Sequence, residues 1–285
     1  MQSEKPKSLK SYSHIRAALY GQPVAISESG LDLVLGIVEA RSEGIVPEET
    51  VKARAGDEQN EEDIPHLQMV GNVALISVLG PIFPRANLFT RISSMTSAKG
   101  IQGAIDAAKE QEPSAYCFLY DSPGGAVSLG FETAEAIWDL RNKSAVPVVS
   151  VVEGSACSLA YLWASQADKI YTGVDSVLGS ISVVMRMMSD DRAQRNAGVD
   201  SFTIKSGSLK QMDDPKTLAF VNQYQSLINQ CSTWHDMFVS AVQRGRKGID
   251  AAAVATGEIW IGQKSVDAGL ADEVATLAKV LKELQ

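Results

Sequence analysis

From Val73 onward, short β-branched runs alternate with segments of helical apolar spacing, and that alternation constrains the fold most. Val73–Leu79, Ala115–Tyr120, Val146–Val152, Lys169–Thr172, Ile181–Met187 and Ser201–Ile204 read as strands. Thr96–Lys109, Leu129–Arg141, Ser158–Ala167, Asp190–Asn196, Pro215–Arg244 and Leu277–Leu284 read as helices. Strands that alternate with helices predict an α/β chain with a largely parallel sheet. In such sheets ligands sit where strand ends meet helix starts. Two of these junctions are rich in small residues: Asp121-Ser-Pro-Gly-Gly125, and the stretch from Val151 to Asp168, VVEGSACSLAYLWASQAD.

The first 66 residues read differently. Ser13–Leu19 and Leu31–Ala40 have short amphipathic helical patterns around a Gly21-Gln-Pro23 turn. Residues 52–66, KARAGDEQNEEDIPH, are polar and acidic, as in a linker. The expected organisation is an N-terminal arm and acidic linker over 1–66, then a folded domain over 67–285.

Charge and cysteine usage narrow the function classes. A net charge of −8 speaks against a uniformly basic nucleic-acid surface. Cys117, Cys157 and Cys231 are odd in number and scattered, so neither a disulfide framework nor a zinc site is expected. His14, His66 and His235 also lie far apart. No run approaches the roughly 20 apolar residues that span a bilayer, and the N-terminus lacks a signal-peptide core. The expectation is a cytoplasmic protein with no membrane anchor, no nucleic-acid partner and no metal.

The junction at Ser158 carries chemistry. Its local string is Ala-Cys-Ser-Leu-Ala, with Ala156 and Ala160 two positions away on either side. A serine on a sharp strand-to-helix turn needs small residues there, because larger side chains collide across the turn. The same serine could also serve only as a helix N-cap. At the other junction, Gly124-Gly125 allows backbone N–H groups to face a pocket and hold an oxyanion. A serine nucleophile needs a base. His14 falls in the arm, His66 in the linker and His235 within the long helix, so a Ser-His-Asp triad has little support. A lysine neutralised by burial is the alternative, and Lys169, Lys205 and Lys210 are candidates that spacing alone does not separate.

Six segments in order resemble peptidase family S49, the signal peptide peptidase A type, and especially phage and prophage members that act as prohead or capsid-assembly proteases. They are Val73-Ala-Leu-Ile-Ser-Val-Leu-Gly-Pro-Ile82, Asp121-Ser-Pro-Gly-Gly125, and the serine block from Ser158 to Tyr171 with its Ala-Asp-Lys-Ile. Gly179-Ser-Ile181 follows, then Lys205-Ser-Gly-Ser-Leu-Lys210 with Pro215 soon after. The last is Gly257-Glu-Ile-Trp-Ile-Gly262 with Asp267-Ala-Gly-Leu270. The resemblance runs from about Leu67 to about Val274.

The resemblance implies a Clp protease/crotonase-like fold of stacked ββα units. It implies a Ser-Lys dyad endopeptidase, with Ser158 as nucleophile and Lys210 as general base. Gly125 and Leu159 would supply the oxyanion-hole N–H groups, and Ser180 would orient the lysine. It implies no cofactor and a polypeptide substrate such as a scaffold, capsid or portal protein. It also implies a homo-oligomer, acting in a bacterial host's cytoplasm or a phage procapsid. Two departures stand out. The family's Gly-Gly after the serine is Leu159-Ala160 here, and residues 1–66 hold no apolar run of membrane-anchor length, so no anchor is expected before the domain. The competing readings are a crotonase-like acyl-CoA enzyme, a non-catalytic capsid-assembly or scaffold protein, and a Clp-like Ser-His-Asp protease.

Overall fold

A computed structural model of the chain describes residues 23–27, 30–32, 34, 66–86, 95–186, 195–198, 206 and 221–285. The expected helix Ser13–Leu19 and strand Ser201–Ile204 lie outside these residues, as do Lys205 and Lys210.

The architecture is α/β with a mainly parallel central sheet. Its core is three parallel strands: β3 (Val73–Leu79), β6 (Ala115–Ser122) and β8 (Val148–Cys157). They are continuous apolar runs rather than alternating ones, as strands covered on both faces must be. On one side β2 (Leu67–Val70) joins β3 through a two-residue Gly71-Asn72 hairpin. On the other side β10 (Val177–Gly179) runs parallel to β8, and β11 (Ile259–Ile261) closes that edge antiparallel. The first half of β8 pairs instead with β9 (Lys169–Thr172), which pairs with β12 (Glu273–Val274). β8 changes partner at Gly154, whose φ of 105° is a conformation that favours glycine.

A second, four-stranded sheet has the order β1 (Val24–Ile26), β7 (Gly124–Ala126), β4 (Ile82–Phe83), β5 (Thr96–Ser97). The chain enters it from the large sheet twice, at Gly80-Pro81 after β3 and at Pro123-Gly124 after β6. The Gly80 N–H donates to the Asp121 carbonyl at 2.8 Å, so the two crossings are held side by side.

Helices cover both faces. α1 (Ala98–Glu110) is capped by Ser97 Oγ and buries Ala98, Ile101, Ala104, Ile105 and Ala108, the spacing of one helical stripe. α2 (Gly130–Lys143) packs beside it. α3 (Leu159–Ala164) is buried on every side; Trp163 Nε1 donates to the Gly130 carbonyl at 2.7 Å and Tyr161 to the Leu270 carbonyl at 3.0 Å. α4 (Val221–Gly245) lays Phe238 and Val242 on this core. The short helices α5 (Ala251–Val254) and α6 (Gln263–Asp267) follow. α7 (Leu277–Leu284) covers the opposite face, where Val280 meets Val73, Cys117 and Val151. Among the described residues, no helix is long and apolar enough to cross a membrane.

Two expectations are revised. Val24–Ile26, from the stretch read as an arm, is a buried strand of the small sheet, and residues 30–32 are helical. Over its described residues, 181–186, the apolar run from Ile181 forms isolated bridges at Val184 and Arg186 rather than a continuous strand, the first of them to Val24. Gly179 and Ser180, with φ of 119° and 51°, turn the chain away from the large sheet before a ladder can extend.

Candidate active site

Ser158 ends β8 and opens α3, with φ 56° and ψ −119°. Gly262 has nearly the same angles, φ 50° and ψ −121°, at the start of α6. At that corner the chain uses glycine; at position 158 it holds a residue with a Cβ in a sparsely populated region. The corner is tightly pinned. The Ser158 N–H donates to the Gly179 carbonyl at 2.8 Å, and its carbonyl accepts from the Leu162 N–H at 2.9 Å. Its Oγ donates to the Ser182 carbonyl at 3.3 Å. Ala156 and Ala160 are both fully buried, which explains the need for small residues beside the serine.

The other two serines of the segment have structural duties. Ser165 Oγ donates to the Leu162 carbonyl and accepts from Gln166 Nε2, closing α3. Ser155 gives both its N–H and its hydroxyl to the Asp121 carboxylate, at 3.1 and 3.2 Å. That contact ties the ends of β6 and β8, the two strands that lead into the two junctions.

The glycine junction lies directly against Ser158. Ser122 Oγ accepts the Gly124 N–H at 3.2 Å, so this N–H is engaged inside the loop. A Cβ on Gly124 would collide with the Ala25 carbonyl and come within 2.8 Å of the Cys157 carbonyl and 3.0 Å of the Leu159 nitrogen. A Cβ on Gly125 would run into the Ile82 carbonyl of β4. Glycine is therefore required twice, by close backbone approach on both faces of β7. Leu159 directs its buried side chain onto Gly130 at the start of α2, where a larger residue than glycine would collide with it. The bulk of Leu159 is accommodated there.

β1 runs antiparallel to β7 with Val24 opposite Ala126, Ala25 opposite Gly125 and Ile26 opposite Gly124. The Ser27 N–H donates to the Pro123 carbonyl at 2.9 Å. Bonded pairs recur every second residue in an antiparallel ladder, so Ala25 and Gly125 form the next one, and the Gly125 N–H faces the Ala25 carbonyl. On its other edge Val24 exchanges both backbone bonds with Val184, at 2.9 and 3.0 Å.

The structure thus brings together Ser158, Leu159, Gly125 and Ser180. The last follows Gly179, which pairs with Cys157 across β10 and β8. Lys210 lies outside the described residues. Of the lysine candidates, Lys169 is described and has another role. Its Nζ donates to Glu273 at 2.7 Å and stands 4.4 Å from the Tyr171 ring centroid. The Glu273 carboxylate holds its ammonium above the usual lysine range, the opposite of what a neutral base requires. Burial pushes the Cys157 thiol up to about 11, so the cysteine beside Ser158 stays protonated. His66 sits beside Gly100 at the start of α1, and its neutral form is favoured by burial. β1, Ser182 and Val184 are neighbours of the site that the sequence pattern does not announce. Val24-Ala-Ile is a strand-like run, but too short to signal its partner from sequence.

The model of Peptidase family S49 matches residues 141–285, a span that contains Ser158, Leu159, Ser180 and Lys210 and begins after Gly125. Capsid assembly protease C of Escherichia phage lambda is 28% identical over 225 residues, covering 78% of this chain and 51% of that protein. Head-tail preconnector protein GP5 of Enterobacteria phage P21 is 26% identical over 279 residues, 93% of this chain and 55% of that protein. A Methanocaldococcus jannaschii protein provisionally named a protease is 30% identical over 184 residues, 63% of this chain and 58% of its own length. The chain thus spans little more than half the length of these relatives. A solved structure of a membrane-bound stomatin-specific protease mutant aligns with a TM-score of 0.45 at 13% identity, over 74% of this chain and 82% of that one.

Proposed function

The chain belongs to peptidase family S49, and from that premise we propose that it is a serine endopeptidase working through a Ser158–Lys210 dyad. The observation that carries the reading is the Ser158 corner. It is a residue held at a costly backbone angle, against a double-glycine strand and the Leu159 N–H. Strain of this kind persists where function needs the side chain in one place.

In this mechanism neutral Lys210 takes the proton from Ser158 Oγ as the oxygen attacks the carbonyl carbon of the scissile peptide. The N–H groups of Gly125 and Leu159 receive the negative charge that develops on the carbonyl oxygen. The tetrahedral intermediate collapses, the C–N bond breaks, and Lys210 returns the proton to the departing amine. Water, deprotonated by Lys210, then attacks the acyl ester and frees Ser158. Ser180 orients the lysine. The unit 67–285 carries the chemistry, and the names of the two phage relatives favour a substrate among head-assembly proteins in the host cytoplasm or procapsid. The chain holds one serine block and one lysine block, so we place its active form in a homo-oligomer.

The test is casein and peptide hydrolysis by wild type, Ser158→Ala and Lys210→Ala, with oligomer size recorded on the same samples. Both variants should fold, assemble as wild type does and lose cleavage by at least about a thousandfold. Cleavage undiminished in Ser158→Ala would remove the nucleophile. A wild type that cuts nothing but captures head proteins would favour the assembly-protein reading.

A further inference from the structure

The groove beside Ser158 is already filled, and by the chain itself. β1 is hydrogen-bonded on both edges: to Pro123–Ala126 on one side and to Val184 on the other. Val24, Ala25 and Ile26 are 0%, 2% and 6% exposed. A three-residue strand threaded between two backbones is how a protein binds an extended peptide, with main-chain bonds supplying affinity. The position is specific. The Gly125 N–H faces the Ala25 carbonyl in the ladder, and that carbonyl and the Leu159 nitrogen crowd the same side of Gly124. The carbonyl of Ala25 therefore lies beside the two N–H groups assigned above to the oxyanion. On the far edge, Val184 is two residues from Ser182, whose carbonyl takes the Ser158 hydroxyl. The strand is also anchored behind. The Leu31 N–H donates to the Ser27 carbonyl at 2.9 Å, and Gly30 packs on Pro123.

We infer that Gly124–Ala126 and Val184 form the two walls of a peptide-strand groove, and that Val24–Ile26 occupies it as a built-in pseudosubstrate. Resting on the Ser158–Gly125 reading for its consequence, the inference adds a restraint: a polypeptide substrate enters only when β1 leaves. The occupant fits the chemistry of its place. Val24-Ala-Ile carries no charge and buries its side chains, while its backbone satisfies groups on both walls. A substrate strand must run antiparallel to Gly124–Ala126 in the same register.

The experiment reads binding separately from catalysis. In a full-length Ser158→Ala background, a fluorescent peptide copying residues 20–30 is titrated into three proteins. One keeps native β1. One carries Val24→Asp, which puts a carboxylate at a fully buried position. The third carries Val24→Cys with Val184→Cys, a bonded antiparallel pair whose expected Cα separation of about 5.5 Å suits a disulfide. Self-occupancy lowers apparent affinity by the fraction of open grooves. Val24→Asp should therefore bind the peptide about tenfold or more tightly than native β1. The oxidised double-cysteine protein should bind about tenfold or more weakly than its own reduced form. The reversible lock keeps the test decisive if Val24→Asp misfolds. Equal binding by the oxidised and reduced forms would overturn the inference. The same β1 variants are then assayed for hydrolysis with Ser158 restored. Binding that responds to β1 without any cleavage keeps the self-filled groove and rejects the catalytic role of Ser158. Cleavage that is indifferent to the lock does the reverse.

Discussion

Ser158 and Gly262 share a backbone conformation and differ in the residue that holds it. A Cβ at φ near +55° costs on the order of 1–3 kcal/mol. Glycine relieves that strain but loses more backbone entropy on folding, about 0.5–1 kcal/mol. The comparison that isolates the strain is Ser158→Gly against Ser158→Ala, since alanine keeps the Cβ and both remove the hydroxyl. Ser158→Gly should be the more stable by about 1 kcal/mol in urea unfolding, with both inactive. A glycine variant less stable than the alanine variant would show that the corner is unstrained. At this scale the sequence was informative in part. The Ala-Cys-Ser-Leu-Ala string announces a tight turn. It does not reveal the angle, nor that Ser155 belongs to Asp121 and Ser165 to the end of α3. Those duties depend on residues far away in the chain.

Elements are where the site is aimed. β8 serves β9 with its first half and β10 with its last three residues, and Gly154 makes the change. The Asp121 carboxylate occupies the space a Cβ on Gly154 would need, and from there it accepts both Ser155 bonds. Gly154→Ala should therefore cost about 1–3 kcal/mol, from the φ of 105° together with displacement of the carboxylate. Asp121→Ala alone should cost about 1 kcal/mol, because the carboxylate is solvent-exposed. The double variant should lose less than the sum, since the second change removes what the first collides with. Strict additivity in denaturant unfolding would mean that Gly154 acts through its dihedral alone. The long apolar strands of the central sheet were legible, with β3 and β9 matching their expected bounds. The polar Glu153-Gly-Ser stretch hid the continuation of β8, and the glycines of β7 hid a strand altogether. The run from Ile181 is apolar enough for a strand, but a strand needs a neighbour, and among the described residues β1 pairs with it at Val184 alone. Propensity describes the run itself, while pairing is decided by what the rest of the fold places beside it.

Across the whole molecule, the face opposite the site is closed by the C-terminal helix, and charge holds it there. Glu273 on β12 accepts from Lys169 of β9 and from Lys279 of α7, each at 2.7 Å. One carboxylate thus joins the sheet to the helix whose Val280 seals the second core. Lys169 first, then Lys279, holds the Glu273 carboxyl down at about 2, against 4.5 for the free group. The folded state therefore prefers the ionised form. Its stabilisation is complete above the unfolded value of 4.5, shrinks as pH falls through that value, and is gone below about 2. Glu273→Gln removes the charge and keeps the shape. Wild type should be the more stable near neutral pH, and the gap should close progressively between about 4.5 and about 2. Because the groups are solvent-exposed, the gap should also narrow in molar salt. Urea unfolding of the two proteins across that range, at low and high salt, measures both trends. A gap that persists unchanged to the acid limit would mean that Glu273 acts by packing or hydrogen bonding that glutamine cannot reproduce, whereas no gap at any pH would mean that α7 is held by its apolar face alone.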